Sequence, residues 1–261
     1  MNLDRYALAC GVLLALSMHA PSAFAIEGGQ SVLDDGSFAF PHAVSIQVNS
    51  RQYCNGVIVS ASHVITTASC LGPRNVRYRV RAGSPYLTSG GQVRTTVRRT
   101  VHPKYDARIQ DYDIAILELA TPLALSPTVQ IVSRWKTETP GGANGIGGGW
   151  GSKSAQSPLP SDDMQWAFQT TLSRSACEAA YAGTGVVITP RMFCTYDSAV
   201  RACAGDGGAP IATVQVISGA LAGQFSHAQF SGHCAAPDKP LVYVNYADDE
   251  IEQFIATVAT P

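Results

Sequence analysis

Short runs rich in apolar and β-branched residues recur along the chain, at 43–48, 55–59, 64–67, 76–82, 93–101, 113–119 and 214–222. Clusters of Gly, Pro, Ser and Asn separate them, and that spacing predicts an all-β sandwich or barrel. The clear helical pattern is terminal. Asp248, Asp249 and Glu250 suit a first turn, and Ile251, Phe254, Ile255 and Val258 repeat at i, i+3, i+4 and i+7, so this helix is expected to dock on the core. The stretch 135–160, rich in Gly, Pro and Ser, reads as a connection between two halves. Its glycine run, 141–149, lacks the Lys-Ser/Thr ending of a phosphate-binding loop and reads as a flexible surface loop.

With 46% hydrophobic and 14% charged residues, the chain of 261 residues can bury a large core. Its net charge of -1 gives no global attraction to nucleic acid or to an acidic membrane. The first 25 residues combine Arg5, an apolar run over 7–18 and Ala23-Phe24-Ala25, which reads as a cleaved secretory signal. The apolar run is shorter than the roughly 20 residues a spanning helix needs, so no membrane anchor is expected. Loss of Cys10 with the signal leaves Cys54, Cys70, Cys177, Cys194, Cys203 and Cys234, an even set that implies disulfides in an exported chain. No CxxC pair occurs and the histidines are scattered, so neither a metal nor another cofactor is expected.

Five segments then arrive in a fixed order: Ile26-Glu27-Gly28-Gly29, the pair Cys54 and Cys70, Asp113-Ile114-Ala115-Ile116-Leu117, Gly149-Trp150-Gly151, and Cys203-Ala204-Gly205-Asp206-Gly207-Gly208-Ala209-Pro210. Together they resemble the chymotrypsin/trypsin-like serine protease family over essentially all of 26–261. The resemblance implies two packed antiparallel six-stranded β-barrels, about 26–134 and about 135–261, with a C-terminal helix. It implies the disulfides Cys54–Cys70, Cys177–Cys194 and Cys203–Cys234. It also implies an ion pair between the Ile26 amine and Asp206, and an oxyanion-hole-like backbone at Gly205 and Gly207.

The departures from the family pattern bear on chemistry. In the family's triad a histidine takes the proton of a nucleophilic serine, and an aspartate fixes the imidazole. Here Ser69 stands at the histidine position and Gly207 at the serine position, while Asp113 remains. Glycine has no side chain to form an acyl-enzyme, and a serine hydroxyl cannot store a proton near neutral pH. Loss of either group in a related protease system costs about 10⁶ in turnover. The chain is therefore expected not to be an enzyme. His63 falls where the family has a strand residue facing away from the cleft. Arg201 occupies the base of the specificity pocket, Leu241 its wall and Gln224 the substrate-pairing strand, which reads as a filled or rebuilt pocket, one form of which would prefer an acidic group.

Arg77, Arg79 and Arg81 alternate on a predicted strand with Arg74 beside them, and Arg94, Arg98 and Arg99 lie on the next run. Residues 26–125 hold ten Lys and Arg against seven Asp and Glu, and residues 126–261 seven against eleven. These arginines form either a basic exosite or an ordinary solvated face. The segment 83–92, where some relatives carry a calcium loop, has no carboxylate. The sequence is thus read as a secreted serine protease homologue that binds an extracellular protein as a regulator, decoy or adaptor. A weak endopeptidase with a rearranged site and a protein that binds a sulfated glycan through the arginines are the alternatives.

Overall fold

The computed structural model describes residues 26–32, 40–134, 136–137, 139–213, 221–227 and 230–259. The expected signal, 1–25, and most of the expected strand 214–222 lie outside the described residues. A short strand β1 (Gln30–Ser31) precedes β2 (Ala43–Val48), β3 (Arg51–Ser60), β4 (His63–Thr66), β5 (Arg79–Ala82), β6 (Gln92–Val101) and β7 (Ala115–Leu119). The last six close into an antiparallel barrel in the order β2, β3, β4, β7, β6, β5. Side-chain alternation decides which face each residue takes. In β5, Val80 and Ala82 point into the core while Arg79 and Arg81 face outward. Ile46, Ile58, Val64 and Leu117 fill the same interior.

The second half contributes β8 (Asn144–Gly149), β9 (Ser152–Ser154), β10 (Ser157–Pro160), β11 (Gln165–Thr171), β12 (Met192–Tyr196), β13 (Pro210–Thr213), β14 (Leu221–His227), β15 (Phe230–Ser231), β16 (Cys234–Ala235) and β17 (Leu241–Asn245). The sheet runs β1, β11, β12, β17, β14, β13, β8, and β8 also pairs with β11. That last pairing closes a second six-stranded ring with β1 on its rim. The fold is therefore two six-stranded antiparallel barrels, the architecture that the resemblance implies.

The glycine run requires a correction. Residues 144–149 are not a flexible loop but the strand β8, hydrogen-bonded on both sides to β11 and β13. Its glycines serve close approach: a Cβ on Gly149 would lie 2.7 Å from the Asp206 carboxylate. The periodicity of apolar side chains cannot reveal a strand that has almost none.

The terminal helix is α2 (Asp249–Val258), following α1 (Arg174–Tyr181). Ile251, Phe254 and Ile255 pack on Val57, Val59, Ile65 and Ile116 of the first barrel. Asp248 caps α2, accepting from the backbone N–H of Glu250 at 3.0 Å and Ile251 at 3.2 Å. Arg134 and Glu252 clamp it further at 2.8 Å. Helix α1 was not anticipated, because its buried side is only Cys177 and Tyr181, too little for a helical stripe. No helix among the described residues is long and apolar enough to cross a membrane. Replacement of the cap, Asp248→Ala, is expected to lower unfolding stability by about 1 kcal/mol in a denaturant titration.

Candidate functional site

Ser69 sits in the 3₁₀ turn Ala68–Cys70, which the Cys54–Cys70 disulfide ties to β3. Its backbone N–H donates to Asp113 Oδ1 at 2.7 Å and its hydroxyl to Oδ2 at 2.8 Å. A second hydroxyl, Ser226 on β14, donates to the same Oδ2 at 2.6 Å. Asp113 is 1% exposed. Burial pushes its carboxyl above the usual range, opposed by the hydrogen bonds from Ser226 and Ser69. The carboxylate is thus met by hydroxyls. His63 stands elsewhere, with Nδ1 2.9 Å from the Ser60 hydroxyl and its backbone opposite Glu118.

The loop 203–209 faces this trio from the second barrel, anchored by the Cys203–Cys234 disulfide. Cys177–Cys194 completes the three pairings that the resemblance implies. Asp206 is buried and accepts from the N–H groups of Gly151 at 2.9 Å and Cys203 at 2.8 Å. Burial pushes its carboxyl up to about 7, and those two bonds only partly oppose the shift. Ile26 packs near Ala167 and Val200, and its nitrogen is a peptide nitrogen in the uncut chain.

Residue 207 is more than an omitted side chain. A Cβ there would lie 2.9 Å from Cys70 Sγ and 3.2 Å from Cys54 Sγ, so the disulfide has closed over the position. The N–H groups of Gly205 and Gly207 donate to no described residue. Ser69, Cys70 and Gln110 from one side, and Gly205, Gly207 and Ser226 from the other, border a cleft of about 330 Å³.

The three specificity positions part company. Arg201 pairs with Glu27, both as an ion pair and through its backbone N–H to the Glu27 carbonyl at 3.0 Å. Its charge is already offset, which removes the basis for a preference for acidic groups. Leu241 is buried with Ala202, Phe225, Ala235 and Tyr243, so an apolar cluster fills the region it walls. Gln224 must be corrected: its side chain is buried between the barrels. Its amide donates to Gly208 O at 2.7 Å and Ile65 O at 3.1 Å and accepts from the Tyr246 hydroxyl, which pins the barrels together. Ser226, two residues further along β14, is the residue of this strand that reaches Asp113 and borders the cleft, and the sequence reading missed it. Asn55, which ties the loop 203–209 in place, was also missed, since its value lies in a contact 150 residues away.

Comparison with known proteins fits this geometry. The family model described as Trypsin matches residues 27–254. The chain belongs to the trypsin family. It is 32% identical to Hypodermin-A of Hypoderma lineatum over 90% of this chain and 88% of that protein. Trypsin delta of Drosophila erecta is 32% identical over 80% of this chain and 81% of the relative. Among solved structures, neuropsin, a serine protease expressed in the limbic system of mouse brain, superimposes with a TM-score of 0.78. That match has 25% identity and covers 89% of this chain and 99% of the other. These relatives overturn the expectation that the chain is not an enzyme: trypsins and hypodermins are its family, and the family points to a protease.

Two outcomes follow from this geometry. Gly207→Ala should lower thermal stability, at a cost of about 1–3 kcal/mol, because the disulfide must move to admit the methyl group. In the uncut chain, Asp206 binds its proton more tightly folded than unfolded, since its folded pKa is raised. The stability it contributes is full at low pH and is lost as pH rises from about 4 through about 7. Asp206→Asn should flatten that part of a pH-stability profile measured by denaturant unfolding.

Proposed function

We propose that this trypsin-family chain is secreted and works on extracellular protein, engaging a polypeptide segment in the cleft between the barrels in a regulatory role. The observation that carries the reading is the cleft itself, open beside the uncommitted N–H groups of Gly205 and Gly207. Three disulfides support export, which the amino-terminal segment also favours. Removal of 1–25 would free the Ile26 amine, whose proposed partner is Asp206, the buried carboxylate of the loop. Peptide hydrolysis, the activity to which the family points, has to use a group other than residue 207. Two hydroxyls of the cleft, Ser69 and Ser226, donate to Asp113, and the reading takes Ser69 as the nucleophile: the carboxylate accepts its proton as the oxygen attacks the peptide carbonyl. The carboxyl then returns that proton to the departing amine, and water adds to the Ser69 ester, passing a proton through Asp113 back to the Ser69 oxygen as the acid leaves.

Capture of peptides from a random library by the purified secreted chain, with cleavage followed by mass spectrometry, tests this reading. Ser69→Trp, which fills the cleft, is expected to weaken capture at least about tenfold, about 1.4 kcal/mol. Any turnover is expected to vanish in Ser69→Ala. Capture indifferent to Ser69→Trp, or turnover that survives Ser69→Ala, overturns it.

A further inference from the structure

A second concavity, of about 750 Å³, lies on the first barrel and shares no residue with the cleft. The segment before β5, the turn at Asn49 and Ser50, and strand β6 enclose it. Five arginines line it: Arg74, Arg77, Arg79, Arg98 and Arg99. No carboxylate does. Arg79 donates to the Ser50 hydroxyl at 3.0 Å and Arg99 to the Gly72 carbonyl at 2.6 Å, bonds that aim the guanidinium groups without neutralising them. Arg98 meets Glu118 at 3.2 Å. Arg74 and Arg77 are exposed and form no ion pair with a described residue. Two arginines of the sequence set fall outside the groove. Arg81 lies over the Gly90 and Thr88 carbonyls, and Arg94 donates to Pro122 O at 2.9 Å and Gln92 Oε1 at 2.8 Å.

We propose that this groove binds a sulfated polysaccharide. Four guanidiniums without a carboxylate partner among the described residues concentrate positive charge on a chain whose net charge is -1, so the feature is local and not a consequence of bulk composition. The planar fork of arginine matches the oxygens of a sulfate, and several forks along one groove match sulfates repeated along a polymer. Between the arginines lie amides and hydroxyls from Asn49, Ser50, Asn75 and Thr95, the groups that pair with sugar hydroxyls, beside the apolar Val76, Tyr78 and Val97. A protein partner would need apolar side chains free to be buried, and of the groove's Val76, Tyr78 and Val97 the first is half-buried and the second already buried, which leaves Val97. Where the chain meets such a glycan rests on the secretion reading; the affinity does not.

The test is fluorescence anisotropy of a labelled heparin octasaccharide with the full chain, from about 50 to about 300 mM NaCl. A desulfated octasaccharide and polyglutamate serve as comparison ligands. Heparin binding should weaken at least about tenfold across that range, with little affinity for the desulfated sugar and at least about tenfold less for polyglutamate. Arg74→Ser with Arg77→Ser should weaken heparin about tenfold with an unchanged melting temperature. Arg108→Ser with Lys136→Ser, which removes the same charge elsewhere, should change it less than about twofold. Ser69→Trp should leave it unaltered, so that failure here is separable from failure of the cleft reading. Absence of binding, equal binding of the desulfated sugar, a preference for polyglutamate, or equal loss in the two double variants overturns the proposal.

Discussion

One buried amide holds the interface between the barrels. The loop 203–209 turns tightly and directs its carbonyls inward, where an unpaired carbonyl would carry its full desolvation cost. Asn55, with no exposed surface, meets that demand from the first barrel. Its side-chain amide donates to Gly205 O at 2.9 Å and Gly207 O at 3.3 Å, and its backbone N–H to Gly207 O at 2.7 Å. Its side-chain Oδ1 accepts from Trp150 N–H at 3.2 Å and from the Gln52 side-chain amide at 3.2 Å. These bonds set residue 207 against the Cys54–Cys70 disulfide and leave the N–H groups of the loop to the cleft.

Two further ties cross the same interface, and both involve groups that a catalytic reading would assign elsewhere. Ser226 reaches from β14 to the Asp113 carboxylate, and Gln224, two residues earlier on that strand, reaches the Ile65 carbonyl. Asp113 therefore has a structural reason to persist apart from any imidazole: it receives donors from both barrels. Asp206 is the opposite case. Two backbone donors do not offset its burial, and its carboxyl is left ready to give up its proton once a cation arrives.

The barrels, the disulfides and the terminal helix were legible because each leaves a local trace: apolar runs of strand length, an even cysteine set in family order, and a stripe headed by three acids. Strand β8 was not, because a strand of glycines carries no side-chain period, and its packing requirement appears only once Asp206 is placed beside Gly149. Helix α1 was too short and too little buried to show. At the site, Ser69, Asp113 and Gly207 could be placed because cysteines or a continuous motif flank them. Gln224 was misplaced where no such anchor exists, and an interface strut was read as a pocket residue. The arginine groove was half legible. Alternation placed Arg77, Arg79 and Arg81 on one face, but local carbonyls drew Arg81 out of the set.

Relatedness and chemistry are decided by different residues here. Identity near 32% over most of the chain averages over core positions, and it establishes the fold and the family. The reaction depends on what stands at two positions within that average. At position 69 a hydroxyl replaces a ring, and it retains the donor to Asp113 while giving up the proton store. At position 207 the disulfide occupies the space into which a side chain would rise, so restoring a serine requires the scaffold to shift as well. Chemistry in this cleft accordingly has to begin at a group other than residue 207.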